Sequence, residues 1–297
     1  MSTTDAPLDV VLPRLPLGEW TENAVEWATG TLGPAFDGIA TVVDALVEPL
    51  DTLLTAAPAV VVVLVFAALG LWLRGWKFGL GAAVGLGLVA GMPYWAETMS
   101  TLAQVLVASA LSLLLAVPLG VFVAENRRAS QLARPVLDLM QTLPAFVYLI
   151  PAIFFFGIGT VPGVLATVVF SMPPGVRLTE LGLRQVDREL VQAGEAFGAS
   201  PWKILLRTKL PLALPTIMTG VNQVIMLALS MVVIAGMVGA GGLGDVIMFA
   251  LAQVEVGSGF EGGIAVVVLA VVLDRLTDSI GGRFPAARAQ RAMQQQS

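Results

Sequence analysis

Long apolar runs with one polar island among them constrain this chain more than any other feature. The runs lie near Pro58–Leu73, Phe78–Trp95, Leu102–Ala124, Pro135–Phe156, Val161–Val176, Leu214–Val238 and Gly263–Ile280. A helix needs about 20 consecutive apolar residues to cross a bilayer. Runs of this length, repeated along one chain, predict an all-α, polytopic membrane helical bundle with about seven transmembrane helices. The first, second and fifth runs are short, and we read them as little tilted or partly re-entrant. Composition agrees: 57% of residues are hydrophobic and 12% charged, against about 45–50% and about 25% in soluble domains.

Basic residues orient the bundle. Arg74 and Lys77 fall between the first two runs, and Arg127, Arg128 and Arg134 between the third and fourth. Arg177, Arg184, Arg188, Lys203, Arg207 and Lys209 follow the fifth run, and Arg275, Arg283, Arg288 and Arg291 lie at or after the end of the seventh. With the N-terminus outside and the C-terminus in the cytoplasm, all but Arg14 fall on the cytoplasmic side, as the positive-inside rule requires. Glu97 and the Asp245–Glu261 loop then lie outside. The start of the chain is acidic and polar, with no short apolar core and cleavage site, so no signal peptide is expected.

Residues 1–56 carry nine Asp or Glu against Arg14 alone. Within them Ile39, Val42, Val43, Leu46, Leu50, Leu53 and Leu54 recur at helical spacing, with Asp44, Glu48, Asp51 and Thr55 opposite. That is an amphipathic helix, which Pro49 is expected to kink or divide. It either packs its apolar face on the bundle or lies in the membrane interface, although interfacial helices favour the basic residues absent here.

Several chemistries are excluded. The chain has no Cys and no His, which removes thiolate and imidazole metal sites, disulfides and the Ser-His and Cys-His nucleophile pairs. Lys77, Lys203 and Lys209 are the only lysines, and none stands in a Gly-Lys-Ser/Thr phosphate-binding loop. No catalytic residue, metal site or resident cofactor is expected, nor a nucleic-acid partner. If ATP drives this protein, another chain binds the nucleotide and its Mg.

The polar island runs from Gly182 to Pro211. Arg184 to Phe197 suits a helix, and Gly198 can end it in the left-handed conformation. Ser200 fits an N-cap, with Pro201 at the first position of a second helix running to Lys209. Pro211 and Pro215 are expected to break that helix before the next span. Such a helix–turn–helix exposes Ala193, Ala196, Phe197 and Ala199. It serves either as a docking device, with Phe197 as anchor, or as a connector lying on lipid headgroups.

The island resembles the ATPase-docking loop of ABC importer permeases, whose pattern is Glu-Ala-Ala, three residues, Gly, nine residues, Ile, one residue, Leu-Pro. Ala193, Gly198, Leu210 and Pro211 match it; Gln192, Gly194 and Thr208 depart from it. The stretches Met140–Gly159, Lys209–Gly244 and Leu269–Thr277 are similar to permease subunits of glycine betaine/proline importers, the ProW/OpuAB-like group. The resemblance spans roughly Leu102 to Gly281. It implies the type I ABC importer permease fold in a bacterial inner membrane. It also implies a second copy of the permease, an ABC ATPase subunit and an extracytoplasmic substrate-binding protein as partners. The coupling surface it implies comprises Gln192, Ala193, Glu195, Ala196, Phe197, Gly198, Ala199, Ser200, Leu210 and Pro211. Glu195, one turn from Gln192, is expected to stand in for the acid that Gln192 replaces. The chain then divides into an acidic outer tail (1–56), two accessory helices (57–97), a permease core (98–281) and a cytoplasmic tail (282–297).

Polar groups at membrane depth face a partner helix or a cavity. Asn222, Met226 and Ser230 share a helix face, and Gln223, Gln141 and Tyr148 lie at similar depth; either they line a translocation path or they bond between helices. The spacing of Arg134 and Asp138 suggests an ion pair. Gly236, Gly239, Gly241, Gly242 and Gly244 form an outer turn suited to close packing or to a gate. The expected function is permease subunit of an osmoprotectant importer. The alternatives are an ABC permease for methionine or a sulfonate, or a stand-alone secondary transporter, for which no set of buried ionisable residues is evident.

Overall fold

The computed structural model describes residues 16–281, and every regular element among them is helical. Arg14 and the expected tail at 282–297 lie outside the described residues. In chain order the helices are α1 (Leu17–Ala56), α2 (Ala59–Arg74), α3 (Trp76–Ala90), α4 (Trp95–Glu125), α5 (Arg127–Thr142) and α6 (Ala145–Phe156). They continue as α7 (Thr160–Arg184), α8 (Arg188–Ala196), α9 (Pro201–Ile204), α10 (Leu210–Ala235), α11 (Gly242–Gln253) and α12 (Val256–Gly281).

Helix α7 lies at the centre, packed between α4 and α10. Small residues set that spacing, because they let helix backbones approach. A Cβ on Gly120 of α4 would fall 2.6 Å from Thr179 Cβ, and one on Gly175 of α7 would fall 2.8 Å from Ala116 Cβ. Around this core, α2, α3 and α12 join α4 and α10 through Leu86, Val89, Leu102, Leu229 and Leu269, all buried.

Four helices are long and apolar enough to cross a membrane: α4, α7, α12 and a 38-residue helix, Pro201–Val238, that contains α9 and α10. Two bent pairs, α1–α2 at 104° and α5–α6 at 97°, raise the number to six. The 15-residue α3 reaches only about 23 Å, short of the ~30 Å core. The seven expected runs therefore reappear in a helical bundle, with departures that have local causes.

The Pro135–Phe156 run is not one straight helix but is bent by 97°. Leu143, which precedes Pro144, is extended at φ −69° and ψ 134°, as a residue before proline tends to be. The short fifth run is part of a 25-residue helix that continues into the polar island, because the end of apolar composition is not the end of helix-forming sequence. The Asp245–Glu261 loop is mostly helical, occupied by α11 and the first turn of α12. Pro211 does not break its helix either. A π-helical turn at Leu205–Lys209 precedes it, with the Leu210 N–H donating to the Leu205 carbonyl. That i→i−5 register accommodates the ring, which would otherwise clash with the carbonyl four residues back.

Helix α1 also runs undivided through Pro34 and Pro49. Its buried stripe, Val43 and Val47, packs on Val107 and Ala108 of α4 and Val164 and Val168 of α7. Ile39, Val42, Leu46 and Leu53 flank that stripe and stay exposed. One stripe of α1 thus packs on the bundle, the first of its two readings, while the neighbouring apolar face stays exposed, and the 104° bend lays α1 across the direction of α2.

Candidate functional site

Three residues separate α7 from α8, and Asp187 starts the new helix by accepting from the Glu189 N–H at 2.9 Å. The far end of α8 closes with a glycine cap. Gly198 sits at φ +75°, its N–H donates to the Glu195 carbonyl at 2.9 Å, and the Ala199 N–H donates to the Gly194 carbonyl at 3.0 Å. Those two bonds are the Schellman pair that satisfies orphan carbonyls at a helix end. Ser200 holds the N-cap position of α9 in extended conformation, but its side chain makes no capping bond. Pro201 stands at the first helical position as expected.

This turn projects from the bundle. Gln192, Ala193, Glu195, Ala196, Gly198 and Ser200 are exposed, Ala199 is half-buried, and Phe197 is 91% exposed. Gly194, the departure from the resembled pattern, lies against Ile204: a Cβ there would come within 3.3 Å of Ile204 Cγ1. Glycine thus lets α8 close down on α9. Leu210 packs with Leu183, Leu205 and Ala213, while Pro211 is exposed on α10. Trp202 and Leu206 line an apolar groove of about 580 Å³ against Val117, Val121 and Phe122 of α4.

A polar cluster that sequence reasoning missed ties the base of this turn to the bundle. Glu180 of α7 is 6% exposed. It accepts from Ser130 Oγ at 2.7 Å and pairs with Arg184 Nε at 2.9 Å and with Arg134 at 3.7 Å. Arg184 also donates to the Val123 carbonyl of α4 at 3.1 Å, and Lys209 pairs with Glu125 at 2.8 Å. The expected Arg134–Asp138 pair does not form: Asp138 pairs with Arg177 across helices. The signal for Glu180 was present, an acid flanked by Leu178, Leu181 and Leu183 just beyond the fifth run and four residues before an arginine.

The residues considered for a path are spread apart. Asn222 Nδ2 donates to Asp274 Oδ1 of α12 at 2.8 Å, and Met226 packs toward the same α2–α3–α12 cluster. Gln223 and Ser230 are exposed, and the Ser230 hydroxyl donates to its own helix at the Met226 carbonyl. Gln141 is exposed on α5, whereas Tyr148 of α6 is buried, donates to the Met140 carbonyl and meets the Phe170 ring edge-on at 5.5 Å.

At the opposite end, the glycine-rich stretch reverses the chain into α11. Gly239, Gly241 and Gly242 adopt positive φ. Gly236 and Gly244 abut so closely that a Cβ on Gly236 would lie 2.2 Å from the Gly244 carbonyl carbon. Two α4 side chains hold the reversal: Thr101 Oγ1 accepts from the Leu243 N–H at 2.8 Å, and Gln104 Nε2 donates to the Ala240 carbonyl at 2.8 Å. The 12-residue α11, about 18 Å long, packs against α12 and α4.

Comparison with known proteins accords with this architecture. Residues 116–284 match the family of binding-protein-dependent transport system inner membrane components. The glycine betaine transport system permease protein OpuAB of Bacillus subtilis is 46% identical, over 91% of this chain and 95% of its own. The glycine betaine/proline betaine transport system permease protein ProW of Escherichia coli is 43% identical, over 90% of this chain and 75% of its own. Among solved structures, a chain of the MetNI methionine ABC transporter superposes with a TM-score of 0.57 at 22% identity, covering 61% of this chain and 91% of that one; it shares the fold. With a family match over more than half its length and relatives this similar along nearly all of it, the chain belongs to the family of binding-protein-dependent transport system inner membrane components.

Proposed function

We propose that this chain is the membrane-spanning subunit of an ATP-driven, binding-protein-dependent importer of glycine betaine and related osmoprotectants. The solute class rests on identities of 46% and 43% to permeases named for glycine betaine. In this reading two copies form the pathway, a separate ABC ATPase binds ATP and Mg, and an external binding protein delivers the solute. The N-terminus lies outside. The end carrying Arg127, Arg184, Lys203 and Lys209 faces the cytoplasm, as the positive-inside rule directs.

The observation that carries the mechanism is the glycine-capped α8–α9 turn with Phe197 at its tip. It is the coupling surface, and Gln192, Ala193, Glu195, Ala196 and Ala199 surround the anchor. Small residues let the ATPase surface approach, and the exposed Phe197 ring fits a pocket there. The turn is also well placed to transmit force. On one side, α9 runs through the π-turn into α10 as a single helix of 38 residues. On the other side, three residues join it to α7, the central helix. A movement of the ATPase groove therefore reaches the two helices that pack against each other at the core, while Glu180 holds α7 to α5. Asn222, Gln223, Met226 and Ser230 of α10, with Gln141 and Tyr148, are the candidates to border the passage as these helices shift.

Co-purification from native membranes tests this. A tagged wild-type chain brings down an ATPase subunit, and Phe197→Asp, which removes no buried contact, loses it. A chain recovered alone, moving solute in liposomes without ATP, would overturn the reading in favour of a secondary carrier.

A further inference from the structure

Asp138 of α5 and Arg177 of α7 form an ion pair, in which Arg177 Nη2 donates to Asp138 Oδ1. The two side chains are 64% and 37% exposed, so the pair is open on one side. Its level lies within the membrane. Helix α7 has 25 residues and is about 37 Å long, against a hydrocarbon core of ~30 Å. Arg177 stands about 26 Å from its Thr160 end and about 10 Å short of Arg184. An exposed ion pair at that depth faces a water-filled space, because lipid solvates neither ion.

Helix α10 supplies a second observation. Its polar side chains Thr219, Gln223 and Ser230 are exposed and fall on one face. This stripe reaches the level of the ion pair. A Cβ on Gly220, which Thr219 and Gln223 flank, would come 3.0 Å from Leu178 Cβ and 3.5 Å from the Pro174 carbonyl oxygen of α7, and Arg177 lies between those two residues. Gln141, also exposed, stands about one turn along α5 from Asp138. One polar wall, drawn from α5, α7 and α10, thus carries a single pair of opposite charges.

That pair selects the class of solute. The neighbouring Arg134 and Arg184 are held by Glu180, so Asp138 and Arg177 are left to each other. An ion pair this exposed contributes little to stability and exchanges partners readily. Arg177 presents N–H donors in a planar fork that fits a carboxylate through two parallel bonds. Asp138 offers its charge to an ammonium group and needs no N–H from it. A solute bearing both groups replaces both halves of the pair at once, whereas a lone cation or anion leaves one ion without a counter-charge at membrane depth. We propose that Asp138 and Arg177 form a solute site in the inner part of the passage that takes zwitterions, with the carboxylate on Arg177 and the ammonium beside Asp138. The site rests on the importer reading above and adds to it two residues that contact the solute.

The test is saturation-transfer NMR on the full chain in nanodiscs, with glycine betaine titrated at constant ionic strength. Saturable binding is expected, weakened at least tenfold by Arg177→Gln. Arg177→Lys keeps the charge beside Asp138 but loses the fork, so it should bind several-fold more weakly at an unchanged melting temperature; it carries the test if the Gln variant fails to fold. Tetramethylammonium and acetate, each with half of the charge pattern, should bind at least tenfold more weakly than glycine betaine. Four results would each overturn the proposal: no saturable binding by the wild type, wild-type affinity in the Lys variant, loss of binding only in step with loss of melting temperature, or equal affinity for tetramethylammonium or acetate. ATP-driven uptake of glycine betaine by the wild-type chain assembled with its ATPase and binding protein separates the two readings. Uptake without binding to the chain removes the site alone, and absence of both removes the importer reading with it.

Discussion

Gly198 offers the cleanest perturbation of the coupling turn. Its φ is +75°, and a Cβ placed there meets nothing within 4 Å. Steric collision is therefore absent, and the penalty of a side chain is purely conformational. For alanine, the left-handed region costs about 1–2 kcal/mol, which lowers the ratio of capped to uncapped turn by roughly 5–30-fold. If only the capped turn docks, the apparent affinity for the ATPase subunit falls by up to that factor. Asparagine tolerates this region better, so Gly198→Asn should lose less. Proline cannot reach this φ and has no N–H to donate to the Glu195 carbonyl. Gly198→Pro should therefore remove both cap bonds and most of the binding. Affinity of purified ATPase for the nanodisc-embedded chain would be measured for all three variants. The order Asn, Ala, Pro in increasing loss is expected. Equal losses for Asn and Ala, or wild-type binding by the Pro variant, would refute the argument that the left-handed cap presents the docking surface.

Other outcomes follow from the same geometry. Glu195→Lys should impair ATP-driven uptake more than Glu189→Lys, because Glu195 adjoins the turn and Glu189 lies at the opposite end of α8; equal effects would remove Glu195 from the coupling surface. Glu180→Gln keeps an acceptor for Ser130 but strips the charge facing Arg184 and Arg134. Allowing for the exposure of both arginines, a loss on the order of 1–3 kcal/mol is expected in detergent unfolding. Glu180→Gln combined with Arg184→Gln should be less than additive, as expected for residues in contact. Gly236→Ala, with its Cβ 2.2 Å from the Gly244 carbonyl carbon, should sharply reduce the folded yield, whereas Gly257→Ala, which meets nothing within 4 Å, should not; comparable yields of the two would show that the α10–α11 contact is looser than described.

Much of this protein was legible in its sequence because bilayer physics leaves few choices. Apolar runs of this length must be helices, since lipid offers the backbone no hydrogen-bond partners. The signals of the coupling turn are local too: a glycine after a helical stretch and Ser200-Pro201 before the next. Phe197 and Gly198 could therefore be placed from the chain alone. Interactions between distant segments could not. Whether Leu143-Pro144 bends a run by 97° or Pro211 breaks a helix depends on what the neighbouring helices permit, and a π-turn leaves no mark in composition. Asp138 had Arg134 one turn away and Arg177 far along the chain, and only the packing of α5 on α7 decided for Arg177. The same holds for Glu180 with Ser130 and for Gln104 with Ala240. Hydrophobic pattern determined that the chain is a helical membrane protein, and local glycine and Ser-Pro signals determined where the proposed docking turn lies; the pairing of buried polar groups, set by which helix faces meet, was decided by the tertiary structure alone.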